Sequence, residues 1–250
     1  MRFFSPAKLN LFFRVVKKRG DGYHAIASLY QAIDLGDTLD VEPAEKDSLT
    51  CTDPVVPLDF TNLVLKAADL FRRKTGCNIH AKFHLEKKIP MQAGLGGGSS
   101  NAATTLWALN ELADKPATTE ELIHWSGEIG SDIGFFFSQG TAYCTGRGEQ
   151  IHPLPSLPHT SLWLAKPSYG LSTPLVYQNC DLSLFPIRNP ADILIDFLEG
   201  NPLYFNDLEI PAFQLAPELL SYKQQLLSAG FEQVTMTGSG TAFFCLGIGG

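Results

Sequence analysis

One stretch constrains this chain more than any other: KKIPMQAGLGGGSSNAATTLWALNEL, residues 87–112. Gly94, Gly96, Gly97 and Gly98 crowd one short run, followed directly by Ser99, Ser100 and Asn101. Beyond them Ala102, Leu106, Leu109 and Ala113 recur at i, i+4, i+7 and i+11, the stripe of a helix with one buried face. Before the run, Ile79, Ala81, Phe83 and Leu85 alternate with His80, Lys82, His84 and Glu86, which reads as a strand. The passage is therefore strand, glycine loop, helix. Each glycine costs roughly 0.5–1 kcal/mol of conformational entropy relative to alanine inside a regular element. A helix N-terminus with free N–H groups and a positive dipole, entered through such a loop, suits a phosphate. The serines and Asn101 would cap the helix or bond a phosphate oxygen; a flexible loop with capping serines is the plainer alternative.

The better-known phosphate loops do not fit. GxxxxGK[ST] is absent, because no Gly-Lys-Ser/Thr occurs. GxGxxG, started at Gly94 and Gly96, meets Ser99 at its last place, and no HRD or DFG element accompanies it.

Composition narrows the partners. The 250 residues are 44% hydrophobic and 18% charged, with a net charge of −7, which argues for globular structure and against nucleic acid as a main partner. The five cysteines (51, 77, 144, 180 and 245) have neither metal-ligand spacing nor the pairing of a disulfide framework. Lys8 and Arg14 interrupt the apolar N-terminus, so no signal peptide is expected, nor any membrane span, and the expected location is cytoplasmic. The sequence carries no signature of a particular oligomer.

Along the chain, Leu9, Leu11, Phe13 and Val15 share one face of a strand, with Lys8, Asn10, Phe12 and Arg14 on the other. Residues 20–24, GDGYH, read as a turn. Two β segments follow, separated at Gly36 and Asp37. A helix is expected over 61–76, capped by Thr61 and stopped by Gly76, and another from the Thr118–Glu121 capping box through Ile129. HPLPSLPH, residues 152–159, is the expected domain boundary, dividing a nucleotide- and substrate-binding domain (1–152) from a C-terminal domain (153–250). Beyond it, a strand at SLWLAKP, helices near STPLVY, PADILIDFLEG and 216–229, and two strands around Gly238 and Gly240 are expected.

PMQAGLGGGSSNAAT resembles the phosphate loop of the GHMP kinases. SPAKLNLFFRVVKKRGDGYH, GSDIGFFFSQGTAYCTGRGE, NDLE and MTGSGTAFF are similar, in order, to further motifs of those members that phosphorylate 4-diphosphocytidyl-2-C-methyl-D-erythritol. The resemblance spans most of the chain. It implies an α+β, two-domain fold, an N-terminal ribosomal S5 domain 2-like part and a C-terminal ferredoxin-like part shortened at its end. It also implies ATP and Mg²⁺ as cofactors, with phosphorylation of that small molecule's 2-hydroxyl in non-mevalonate isoprenoid synthesis. Gln92 and Ala93 stand where glycine is common in that loop.

On the resemblance, Asp132, otherwise a turn aspartate, becomes the catalytic carboxylate, and Lys8, otherwise a strand-edge lysine, stabilises the charge that grows on transfer. Asn62, Lys87, Pro90, Met91, Gln92, Ala93, Gly94, Leu95, Gly96, Gly97, Gly98, Ser99, Ser100 and Asn101 would contact ATP. Tyr23 and Tyr177 would stack on the cytosine, His24 would hydrogen-bond it, and Asn10 and Thr173 would lie against the substrate. Tyr23 and Tyr177 fall on opposite sides of the expected boundary, so the base would be read by both domains. A mevalonate or homoserine kinase would have no use for a pyrimidine reader, and a non-catalytic relative would lack Lys8 or Asp132.

Overall fold

The computed structural model describes residues 1–247; the last three residues of the expected C-terminal domain lie outside the described residues. Packing divides the chain into two compact units that interleave along the sequence. The first comprises Met1–Lys8, Ala32–Pro90 and Gly96–Gly140; the second comprises Leu9–Gln31, Met91–Leu95 and Thr141–Gly250. Compactness thus cuts the chain elsewhere than the proline-rich 152–159 stretch. Proline clusters mark where a chain cannot continue regular structure, which is a weaker condition than where contacts thin out.

Two long strands belong partly to each unit: β1 (Arg2–Lys18) and β2 (His24–Ala44). β2 is one strand where two were expected. Gly36 does not break it; a Cβ there would run into the Phe4 ring, so the glycine makes room for a neighbour. In β1, Ala7 through Phe13 are buried without a break, so the face bearing Lys8 and Asn10 is covered rather than solvated.

In the first unit the strand order is β3 (Ser48–Cys51), β4 (His80–Glu86), β2, β1. β4 runs antiparallel to β2 with Leu39 opposite Leu85 and Val41 opposite Phe83, and parallel to β3. Helices α1 (Leu63–Thr75) and α2 (Gly97–Leu112) share a core with this sheet, built on Leu39, Val41, Leu70, Phe71, Phe83, Leu85, Leu106 and Leu109. α1 is capped by Asn62 rather than Thr61: Asn62 accepts from the Val64 N–H, while Thr61 bonds Asp59. Gly76 ends it in the left-handed region, as expected. The Thr118–Glu121 capping box opens α3 (Thr119–Ser126), which stops before Ile129.

The second unit pairs β6 (Gln150–Pro153) with β5 (Thr141–Gly146), and β5 with the first half of β2, Tyr30 opposite Ala142. A short strand the sequence did not signal, β8 (Phe205–Asn206), lies parallel to β1, Phe12 opposite Phe205. A separate antiparallel sheet has the order β7 (Trp163–Ala165), β10 (Phe243–Leu246), β9 (Gln233–Met236). Helices α4 (Thr173–Gln178), α5 (Pro190–Leu198), α6 (Glu209–Leu215) and α7 (Pro217–Ser228) complete the unit. Its core gathers Phe13, Val176, Leu208, Leu219, Met236 and Phe243.

Candidate active site

In the first unit, Lys8 reaches toward Asp132. Nζ lies 3.6 Å from Oδ2, with the lysine side chain 3% exposed and the aspartate 32% exposed. Asp132 follows α3 and precedes a 3-10 turn, Gly134–Phe137. Lys8 is held by its place in a buried strand, so its long side chain is confined before any ligand arrives. An ammonium and an accessible carboxylate at this separation suit the deprotonation of a hydroxyl beside a phosphoryl group.

Gly96 sits against the same lysine. It is the N-cap of α2, with φ 70°, and a Cβ there would lie 2.9 Å from Lys8 Cγ and 3.1 Å from Phe136 Cζ. The glycine is required twice, by its left-handed backbone and by the lysine stem alongside it. Ser99, Ser100 and Asn101 do not cap the helix, contrary to expectation: α2 begins at Gly97 and they lie within it. Ser100 Oγ is buried and has no hydrogen-bond partner among the described residues.

The residue sequence reasoning missed is Asp37. It is fully buried, and its carboxylate accepts from Lys87 Nζ at 2.6 Å, from the Lys88 and Ile89 N–H groups at 2.7 and 2.8 Å, and from Asn101 Nδ2 at 3.0 Å. Lys87 Nζ also donates to the Ile89 carbonyl at 2.8 Å. One carboxylate thus ties the exit of β4 to the second turn of α2. It anchors two residues assigned above to ATP. The only sequence signal was a Gly-Asp pair inside a strand pattern, which read as a break. Asn62 likewise has a local use: besides capping α1 it donates to the Pro57 carbonyl at 2.8 Å.

In the second unit, Met91–Leu95 packs on the turn after β9. The Cβ that Gly94 lacks would meet the Thr237 carbonyl, and that of Gly240 would meet the backbone of Ala93 and Gly94, so the two glycine motifs approach backbone to backbone. Gln92 adopts φ 54°, in the left-handed region that favours glycine. Asn206 of NDLE donates to the Met236 and Gly238 carbonyls, both at 2.7 Å, and Glu209 accepts from the Met236 N–H at 2.8 Å. NDLE therefore serves to hold the glycine turn. Asp207, beside it, accepts from Arg14 at 2.8 Å and the Val15 N–H at 2.9 Å.

The same unit contains every residue expected to meet the substrate's base. His24 stacks on Tyr177, ring centroids 5.4 Å apart at 27°. Burial, reinforced by the charge of Lys18, pulls the His24 pKa below its ordinary value, so the ring is neutral near pH 7. Tyr23 stands out from its turn, 57% exposed. Thr173 Oγ1 lies 2.7 Å from Ser239 Oγ on the glycine turn. Asn10 is buried; its Nδ2 donates to Ser28 Oγ at 2.9 Å and its N–H to Thr237 Oγ1 at 3.1 Å. Tyr23 and Tyr177, expected in different domains, fall within one compact unit.

Comparison with known proteins decides the family. Residues 62–140 match the GHMP kinases N terminal domain. The chain is 56% identical, over all of its length and 85% of the relative's, to the 4-diphosphocytidyl-2-C-methyl-D-erythritol kinase of Protochlamydia amoebophila (strain UWE25). The chain belongs to the 4-diphosphocytidyl-2-C-methyl-D-erythritol kinase family. The chloroplastic/chromoplastic family member of Solanum lycopersicum is 46% identical over 98% of the chain and 64% of its own length. A crystal structure of 4-(cytidine 5'-diphospho)-2C-methyl-D-erythritol kinase superposes with a TM-score of 0.84 at 37% identity, covering 100% of this chain and 91% of that one. The α+β architecture is that of the GHMP kinases, a family whose phosphate donor is ATP.

Proposed function

We propose that this chain transfers the γ-phosphoryl group of ATP to the 2-hydroxyl of 4-diphosphocytidyl-2-C-methyl-D-erythritol, a step of the methylerythritol phosphate route to isoprenoid precursors. The observation that supports the chemistry best is the buried Lys8 ammonium 3.6 Å from the Asp132 carboxylate, beside the left-handed Gly96. Asp132 takes the proton of the attacking hydroxyl as its oxygen bonds to the γ-phosphorus and the bond to the ADP oxygen breaks. Lys8 stabilises the charge that grows on the transferred oxygens. Little covalent work falls to the protein, so the rate rests on positioning and electrostatics.

The first turns of α2 would hold the ATP phosphates, with the Asp37 clasp keeping Lys87 and Asn101 in place. Tyr23 and Tyr177 would receive the cytosine, His24 would hydrogen-bond it, and Thr173 and Asn10 would line the substrate. Among the described residues no three His, Cys, Asp or Glu side chains gather as a metal cage. That suits Mg²⁺, which keeps several waters and binds through one or two protein oxygens plus substrate phosphates. The buried Ser100 hydroxyl, without a hydrogen-bond partner among the described residues, would hold it beside the phosphates, and when bound it would neutralise phosphate charge. No helix among the described residues is long and apolar enough to cross a membrane, and we place the enzyme in the cytoplasm.

The test is an ATP-consumption assay with the diphosphocytidyl substrate beside mevalonate and homoserine. Turnover with the first alone is expected; turnover with either of the others instead would refute the substrate assignment while leaving kinase chemistry intact.

A further inference from the structure

Arg147 has no part in the reading above. It lies in the turn of the β5–β6 hairpin, between Gly146 and Gly148 with φ of 71° and 117°. Its guanidinium carbon is 5.1 Å from the centroid of the Tyr23 ring. Tyr23 closes a turn of its own, in which its N–H donates to Asp21 at 3.1 Å and Arg19 Nε donates to the same carboxylate at 3.0 Å. Glu149 accepts the Arg147 backbone N–H at 2.5 Å and stands 3.9 Å from its Nε. Two separate turns thus meet through a cation laid over an aromatic face.

An exposed tyrosine on a surface turn samples several rotamers, and stacking on a base has to remove that freedom. A guanidinium over one face restrains the ring and leaves the opposite face for a flat ligand. We propose that Arg147 is a positioning residue for substrate recognition: it covers one face of Tyr23 and holds the ring so that the other face receives the cytosine base. This rests on the reading of Tyr23 as a base-stacking residue.

The test is a double-mutant cycle in steady-state kinetics with the diphosphocytidyl substrate, using Arg147→Gln, Arg147→Lys, Tyr23→Ala and the double variant Arg147→Gln/Tyr23→Ala. Arg147→Gln is expected to raise KM for that substrate about two- to fivefold, the size of an exposed cation–π contact. KM for ATP and kcat at saturation stay within about twofold, and Arg147→Lys falls between wild type and Arg147→Gln. In the Tyr23→Ala background the Arg147→Gln effect disappears. An effect of full size in that background overturns the proposal and makes Arg147 a direct substrate contact. An unchanged KM in Arg147→Gln, or a fall in kcat alone, overturns it too. If Tyr23→Ala itself leaves KM unchanged, the base-stacking reading fails first and the positioning role falls with it; if Tyr23→Ala raises KM and Arg147→Gln does not, only the positioning role is lost.

Discussion

At Asp132 an accessible carboxylate meets a lysine that the fold has already immobilised, an asymmetry that separates their roles. The carboxylate can exchange a proton with a hydroxyl in solvent reach, whereas the buried ammonium serves best as fixed charge. Asp132→Asn should lower kcat by about 10²-fold or more, the usual scale of general-base catalysis, with KM for ATP nearly unchanged. Near-normal turnover in steady-state assays would remove Asp132 from the base role. His24 supplies a second prediction at this scale. Its folded pKa is lowered by burial first and by Lys18 second, below an unfolded value of about 6.5. The unfolded chain therefore binds the extra proton more readily in the window between the two values. The stability this ring contributes is present above about pH 6.5 and is lost as pH falls through that window. Thermal melts at pH 7.5 and 5.5 should show a smaller acid loss in His24→Gln than in wild type. An equal loss in both would assign the acid sensitivity to other groups.

The elements around the phosphate loop are held by polar anchors that sit outside the loop itself. β4 leaves the sheet at Glu86, and within a few residues Lys87, Lys88 and Ile89 are all bonded to Asp37 on β2. Removing one partner of a buried pair leaves an uncompensated charge, which is destabilising by about 3–5 kcal/mol. With Lys87 and Asp37 side chains only 8% and 0% exposed, Asp37→Ala should lose stability on that scale in urea denaturation, and ATP affinity should weaken as Lys87 and Asn101 lose their tether. A loss under about 1 kcal/mol would mean that water replaces the carboxylate. At the start of α2, Gly96→Ala should impair the enzyme by a different route. A left-handed alanine is strained by about 1–2 kcal/mol, and its Cβ at 2.9 Å would push on the Lys8 stem. Both kcat and nucleotide affinity should fall, with a smaller loss of stability than in Asp37→Ala. Unchanged kinetics would show that Lys8 can shift without consequence.

For the whole molecule, the residues proposed to read the base, all in one compact unit, predict that a ligand carrying only the cytidine part of the substrate stabilises the fold. Cytidine diphosphate at about 100 times its Kd should add roughly 2.7 kcal/mol, read as a rise in Tm that uridine diphosphate does not match. Equal shifts from both would mean that the base is not being read. The motifs themselves were legible without coordinates, because each is a local pattern: a glycine run before a helical stripe, an alternating strand, a capping box, an aspartate in a short signature. The family and the α+β class followed from the resemblance of those motifs to a known family. Only the tertiary structure decided what the patterns touch. Asp37 became an anchor through partners 50, 51, 52 and 64 residues away. Gly36 became room for a phenylalanine ring instead of a strand break. Ser99 and Ser100 moved from the cap into the helix, and Tyr23, His24 and Tyr177 came into one unit across the expected boundary. Local sequence encodes backbone preference and chemical type; the pairing of distant groups depends on which surfaces pack together, and no short window of sequence contains that.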